Sequence, residues 1–237
     1  RLLHELGHRD FGENRVQHLT QRVAQLEEYL GRRKLLGPLD DAATPLGQSP
    51  PRTPAAPVRW HMIGHLQRNK LKPVVPLVRL IHSVDSLRLA EELHALGAKL
   101  DRVIEVLLQV NISGEESKCG LAPPALIHLA EQMDTMLHLR VRGLMTMAPY
   151  SDDPEQARPY FRRCAELFEE LRSSRVGGPL CNLLSMGMSG DYEVAIEEGA
   201  NLVRVGRALF GANERDPSPQ ALPDRPAPRE VEEETPD

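Results

Sequence analysis

Arg204 and the small residues around it are the part of the sequence whose types and spacing suggest chemistry. It lies in Leu202–Val205, a short run that is otherwise apolar. An unpaired buried guanidinium is costly, so this segment needs an acceptor or an anionic ligand. Ser185, Ser189 and Gly206 supply hydroxyl groups and backbone amides of the kind that bind phosphate. The pattern predicts a phosphorylated ligand whose ring faces Arg204; the alternative is ordinary turns, with Arg204 paired to a core carboxylate.

Two other kinds of site are less well supported by the spacing of the residues. His61 and His65 are four residues apart, which suits two metal ligands on a helix, but this pair straddles the end of a predicted strand. A serine nucleophile at Ser185 or Ser189 would need a positioned base. The segment Met186–Gly190 matches the GxSxG pattern only loosely. We therefore predict no metal and no catalytic residue.

Composition and charge exclude several classes of protein. The formal net charge is −5, and the segment 212–237, with eight acidic residues and three arginines, accounts for all of it. The rest of the chain is near neutral, which does not favour a nucleic-acid partner. No apolar run is long enough to span a membrane, and no signal peptide is recognised. The three cysteines, Cys119, Cys164 and Cys181, have no CxxC spacing, which is typical of reduced thiols in a cytoplasmic protein.

The elements that must position these residues alternate along the chain. Short apolar runs predict seven strands: Arg9–Phe11, Val58–Ile63, Leu80–Val84, Val103–Val110, Val141–Met147, Leu183–Met186 and Leu202–Val205. Amphipathic segments between them predict helices over Asn14–Leu30, Ser86–Leu96, Pro123–Met136, Pro154–Leu171 and Ser189–Gly199. Alternating strands and helices favour a parallel sheet with right-handed crossovers.

Seven strand–helix units are one short of a (β/α)₈ barrel. The chain begins with Arg1, and the pattern of Arg1–Gly7 predicts the end of a helix that stops at a glycine. We therefore expect a TIM-type (β/α)₈ barrel whose first strand lies outside this sequence. We expect the barrel domain to span 1–211, with a disordered proline-rich insert at 37–57 and a disordered acidic, proline-rich tail at 212–237.

Six ordered motifs resemble one family. They are GEN at Gly12–Asn14, WHMIGHLQRNK at Trp60–Lys70, HSVDS at His82–Ser86, VNISGEESKCGL at Val110–Leu121, RGLMTMAP at Arg142–Pro149 and the Leu183–Gly211 stretch. Together they closely resemble the pyridoxal phosphate homeostasis proteins over about Arg1–Gly211. The resemblance implies a single barrel like the N-terminal domain of alanine racemase. It also implies a protein that binds pyridoxal 5′-phosphate (PLP) without substantial turnover.

The resemblance also implies roles for particular residues. Arg204 faces the pyridine nitrogen of PLP, and Asn14 lies near the ring hydroxyl. An arginine at that nitrogen keeps the pyridine unprotonated and weakens the ring as an electron sink, which suits a carrier better than a transaminase. The phosphate cup comprises Ser185, Met188, Ser189 and Gly206.

This sequence departs from the family pattern at the lysine that anchors PLP. In the family it lies on the first strand, and none of the five lysines of this sequence has that context: Lys34, Lys70, Lys72, Lys99 and Lys118. We expect all five to be exposed. The covalent link to PLP is therefore not identifiable here, and one alternative is a truncated member that cannot bind PLP covalently.

A second alternative is an amino-acid racemase related to alanine racemase. Such an enzyme needs the lysine and an opposing tyrosine, usually from a second domain of a partner subunit. No second domain is visible in the sequence, and we expect a monomer.

Overall fold

The computed structural model describes residues 2–36, 57–115 and 119–211. All seven predicted strands are present there, with ends that differ from the prediction by at most two residues. They are β1 Asp10–Glu13, β2 Arg59–Met62, β3 Val78–Val84, β4 Ile104–Gln109, β5 Leu139–Met145, β6 Leu183–Met188 and β7 Leu202–Arg204. The proline-rich insert, apart from Pro57, and the acidic tail lie outside the described residues.

The strands form one parallel sheet in which the spatial order is the order along the chain, from β1 to β7. Within the described residues, β1 and β7 are the edge strands and no ladder joins them. Consecutive parallel neighbours joined by helices curl the sheet into a nearly closed barrel. The prediction of a barrel-type α/β fold is therefore confirmed.

The helices connect the strands as expected, with some corrections at their ends. They are α1 Leu2–Glu5, α2 Val16–Leu36, α3 Leu71–Val74, α4 Leu87–Lys99, α5 Leu126–Asp134, α6 Arg158–Ser173, α7 Tyr192–Glu197 and α8 Arg207–Phe210. Helix α4 continues past Gly97, where we expected it to stop. Gly97 is buried against the backbone of Arg102, where an added Cβ would lie 2.8 Å from the carbonyl oxygen, so this glycine allows close packing and does not end the helix. The prediction that a helix begins at Ser189 is wrong: α7 begins at Tyr192, and Asp191 is its N-cap residue.

The strands bury two different faces. The larger hydrophobic cluster fills the space between the strands and the surrounding helices, with Phe161 of α6 as its largest fully buried side chain. A second, small cluster of Leu80, Leu107 and Met145, with Leu183 and Leu202 packed against it, lies inside the barrel. Because side chains alternate along a strand, the residues two positions further along β3, β6 and β7 also face the interior. Those residues are polar: His82, Ser185 and Arg204.

None of the described helices has both the length and the apolar character needed to cross a membrane.

Candidate functional site

Arg204 lies half-buried at the end of β7, and its guanidinium is held by two neutral acceptors. One Nη atom donates to Ser185 Oγ on β6 at 2.7 Å, and the other donates to the carbonyl oxygen of Thr146 at 2.9 Å. The Thr146 hydroxyl in turn donates to the carbonyl oxygen of Val110. Among the described residues Arg204 forms no ion pair, so the structure does not support pairing with a core carboxylate. Burial lowers the pKa of Arg204 to about 10, which leaves the side chain charged at neutral pH.

Ser185 also belongs to a hydrogen-bond chain that crosses the barrel interior. Its Oγ lies 3.0 Å from His82 Nδ1, and His82 Nε2 lies 3.0 Å from His61 Nδ1. His61 Nε2 lies 3.2 Å from Asp10 Oδ1 at the start of β1. We name these five residues, Asp10, His61, His82, Ser185 and Arg204, the interior chain. It links β1, β2 and β3 to β6 and β7 through side chains alone.

The donors and acceptors of the interior chain can be assigned from its two ends. Arg204 can only donate, and the Asp10 carboxylate can only accept. With both histidines neutral, which their lowered pKa values favour, His61 Nε2–H donates to Asp10, His82 Nε2–H donates to His61 Nδ1, and the Ser185 hydroxyl donates to His82 Nδ1. Each histidine is then the Nε2–H tautomer, and each nitrogen of the two rings has a suitable partner.

The surroundings of the interior chain favour neutral histidines and an ionised Asp10. Burial is the main cause that lowers the pKa of both His61 and His82, and for His82 the nearby charge of Arg204 acts in the same direction. At the other end, Arg59 Nε donates to Asp10 Oδ1 at 2.7 Å, and this contact lowers the pKa of the carboxyl group. One end of the interior chain is therefore the charged Arg204, at the carboxyl ends of the strands, which we call the barrel mouth. The other end is the ionised Asp10, at the start of β1.

The turns after β6 and β7 are joined by Ser189. Its Oγ accepts from the amides of Gly206 and Ala208 at 3.2 and 3.3 Å. The amide of Met188 donates to Asp191 Oδ1 at 2.6 Å. The residues at these turns are exposed or half-buried, unlike Ser185, which is fully buried. The structure therefore brings Ser185, Met188, Ser189, Arg204 and Gly206 to the ends of two neighbouring strands.

The remaining predicted residues fall in different places. Asn14 is exposed and directly follows β1. His61 lies in the interior chain, whereas His65 lies in the loop after β2 beside Asp85, so the two histidines have different partners. Three lysines are exposed as expected, Lys70, Lys72 and Lys99; the side chain of Lys34 and the whole of Lys118 lie outside the described part of the structure.

Sequence reasoning missed His82, Asp10 and Thr146. A signal for His82 was present, because it is a polar residue in a strand whose other residues are mostly apolar, as Arg204 is. A buried polar side chain needs a hydrogen-bond partner, and this reasoning, which we applied to Arg204, would also have identified His82. Thr146 contributes through its backbone carbonyl, which no side-chain pattern can indicate.

Comparisons with known proteins show which family the chain belongs to. The family model described as alanine racemase, N-terminal domain, matches residues 2–214. A pyridoxal phosphate homeostasis protein of Aquifex aeolicus is 42% identical over 212 residues, covering 89% of this chain and 80% of that protein. The protein of the same name from Pseudomonas aeruginosa is 37% identical, covering 89% of this chain and 77% of that protein.

A solved structure also matches. The structure of PipY from Synechococcus elongatus with PLP bound superposes with a TM-score of 0.71 at 31% identity, covering 89% of this chain and 85% of that chain. Both the family match and the identity to the relatives extend over most of the chain. The chain therefore belongs to the family of the alanine racemase N-terminal domain and, within it, to the pyridoxal phosphate homeostasis proteins.

Proposed function

We propose that this protein binds PLP and helps to maintain the supply of the cofactor, without substantial catalytic turnover. The observation that carries the proposal is the orientation of Arg204. Its guanidinium is fixed at the end of β7 by Ser185 and the Thr146 carbonyl, and no carboxylate of the described residues forms an ion pair with it. The site therefore offers one oriented cation with donors only, in a chain that is 42% identical over 212 residues to a protein named for PLP homeostasis.

The residues at the strand ends fit such a ligand. We propose that Arg204 donates to the pyridine nitrogen and that Ser185, being buried, serves the site by orienting Arg204 and connecting it to His82. Ser189, Gly206 and the Met188 turn hold the phosphate through hydroxyl and amide groups, and Asn14 lies near the ring hydroxyl. The Ser189 contacts to Gly206 and Ala208 are long, at 3.2 and 3.3 Å, so this turn can exchange them for phosphate contacts at little cost.

The absence of turnover follows from the nature of Arg204. PLP contributes an aldehyde that reacts with amines and a ring that, when protonated, withdraws electrons from the reacting carbon. A guanidinium with a pKa of about 10 donates a hydrogen bond but does not transfer its proton to a much less basic pyridine nitrogen. The arginine therefore disfavours carbanion chemistry, which suits a carrier. We also propose that the protein is cytoplasmic, in keeping with its three free cysteines, and that it is a monomer.

The test is a PLP titration of the Arg204→Glu variant, followed by absorbance and by protein fluorescence. Reversal of the charge is expected to weaken binding by at least about tenfold, because a buried charge-assisted hydrogen bond contributes about 1.5–3 kcal/mol. Arg88→Glu is the matched control, since Arg88 is exposed on α4 and its variant is expected to bind like the wild type. Equal affinity of Arg204→Glu and the wild type would refute the assignment.

Turnover is tested separately with L-alanine and PLP. We expect no formation of D-alanine above that given by free PLP. Formation of D-alanine by the wild type, and its loss in Arg204→Glu, would favour the racemase alternative instead.

A further inference from the structure

Three side chains that could bind a metal ion meet at the barrel mouth, away from the interior chain. They are His65, Asp85 and Cys119, and one ligand atom from each lies within 4.8 Å of the other two. His65 Nδ1 lies 3.6 Å from Asp85 Oδ2. We name these three residues the mouth cluster. They follow β2, β3 and β4, three neighbouring parallel strands, whose carboxyl ends meet at one edge of the sheet.

The backbone holds His65 and Asp85 in place. The residue before His65 accepts a hydrogen bond through its carbonyl oxygen from the Ser83 hydroxyl at 2.6 Å, and the residue after it, Leu66, is buried. Asp85 directly follows β3 and precedes Ser86, the N-cap residue of α4. Its side chain is only 15% exposed, so its position is restricted. Both ligands therefore lie in short loops whose backbone is held at the ends of β2 and β3.

Cys119 is held against the end of β4 by several contacts. Its carbonyl oxygen accepts from Gln109 Nε2 at 2.9 Å, and the amide of Leu121 donates to the carbonyl oxygen of Gln109 at 2.8 Å. Gly120, with φ of +138°, lies so close to Asn111 that a Cβ atom there would be 2.6 Å from the Asn111 nitrogen. A larger residue cannot adopt this path without strain. Because of this tight turn, Cys119, ten residues after Gln109, lies beside the end of β4.

The chemistry of the three groups indicates which metal they suit. A thiolate is a soft ligand and disfavours Mg²⁺ and Ca²⁺, whereas the combination of thiolate, imidazole and carboxylate suits Zn²⁺. One thiolate and one carboxylate balance the charge of a divalent ion. Bond lengths of about 2.0–2.3 Å place the ligands of a tetrahedral zinc site about 3.4–3.7 Å apart. The largest separation here is at most 4.8 Å, so rotation of the exposed His65 and Cys119 side chains closes the site.

A cysteine nucleophile with His65 as base and Asp85 as its partner is the competing interpretation. In such an arrangement the carboxylate orients the imidazole and the imidazole faces the thiol. Here one ligand atom of each residue lies within 4.8 Å of the other two, so the Asp85 carboxylate lies close to the Cys119 sulfur as well as to His65. A carboxylate beside the sulfur repels a free thiolate, whereas both groups attract a divalent cation placed between them.

We propose that His65, Asp85 and Cys119 form a three-ligand site for a divalent transition metal of the zinc type, with a coordination position open to solvent. The exposure of His65 and Cys119 provides the approach for the ion and for a fourth ligand. Three protein ligands with one open position are the arrangement of zinc sites that bind a further small molecule. The mouth cluster shares no residue with the proposed PLP contacts, so variants of its three ligands test it separately.

The proposal is tested with Co²⁺ as a spectroscopic probe, on PLP-free protein that carries no histidine tag. One equivalent of Co²⁺ is expected to give a thiolate-to-cobalt charge-transfer band in the near ultraviolet, and Zn²⁺ is expected to abolish it by displacement. Cys119→Ser is expected to lose the band, and His65→Ala is expected to weaken Zn²⁺ binding by at least about tenfold. His128→Ala, at an exposed histidine on α5, is the matched control and is expected to bind like the wild type.

Two results would overturn the proposal. One is the absence of a charge-transfer band in the wild-type protein. The other is a band or a Zn²⁺ affinity that stays unchanged in both Cys119→Ser and His65→Ala, because the ion would then be bound elsewhere. Neither result bears on PLP binding, which is measured separately through Arg204.

Discussion

Acidification is expected to destabilise the protein through His82, the fully buried histidine of the interior chain. Burial, the neighbouring His61 and the charge of Arg204 all keep the pKa of folded His82 well below the ordinary value of 6.5. The unfolded chain therefore binds a proton near pH 6.5 that the folded chain does not accept. Since the unfolded state then holds more protons, the free energy of unfolding rises with pH and falls as the pH drops below about 6.5.

The size of the effect follows from the linkage relation. One proton held only by the unfolded state changes the free energy of unfolding by about 1.4 kcal/mol per pH unit. Between about pH 7.5 and pH 5.5 the loss from His82 is therefore about 1.4 kcal/mol, of which about 1 kcal/mol falls below pH 6.5. For a domain of this size that corresponds to a decrease of about 3–6 °C in Tm. His61 contributes in the same direction, but the attraction of Asp10 offsets part of its shift.

The assay compares thermal melts of the wild type and His82→Gln at the two pH values. Glutamine keeps a donor and an acceptor but cannot be protonated, so its loss on acidification is expected to be smaller by about 1.4 kcal/mol. His128→Gln, at the exposed histidine on α5, is expected to behave like the wild type. In the wild type, ¹⁵N shifts of the His82 ring at pH 5.5 should still show the neutral Nε2–H tautomer. A protonated ring at that pH, or equal losses in both proteins, would refute the assignment of the interior chain.

Two further predictions concern the barrel itself. Gly143→Ala is expected to cost at least about 3 kcal/mol of stability, because a Cβ at this positive φ of 144° would lie 1.8 Å from the Leu183 carbonyl oxygen on β6. Gly190→Ala is its control, since no atom lies within 4 Å of the added Cβ; similar melting temperatures for the two variants would contradict this interpretation. Phe161→Ala, at the largest fully buried side chain, is expected to cost about 3–5 kcal/mol in urea unfolding. A loss below about 1 kcal/mol would show that α6 does not depend on this contact.

The sequence by itself determined the order and type of the elements. All seven strands were recognisable, because apolar and β-branched runs bounded by turn residues report directly on burial. The arginine in strand Leu202–Arg204 correctly predicted a need for hydrogen-bond acceptors, since a buried guanidinium requires them in any fold. Element ends were less certain: the start of α7 moved from Ser189 to Tyr192, because a turn that is stabilised by contacts with a neighbouring loop replaces a helical turn.

Only the tertiary structure decided which groups accept hydrogen bonds from Arg204. The acceptors of Arg204 are Ser185 and the Thr146 carbonyl, on segments 19 and 58 residues away in the sequence. Likewise, His82 and Ser185 are 103 residues apart and meet only because the sheet curls and places β3 opposite β6. The mouth cluster has the same origin, with one ligand after each of three strands. Local patterns record burial, whereas strand order, register and curvature determine which distant side chains share a site.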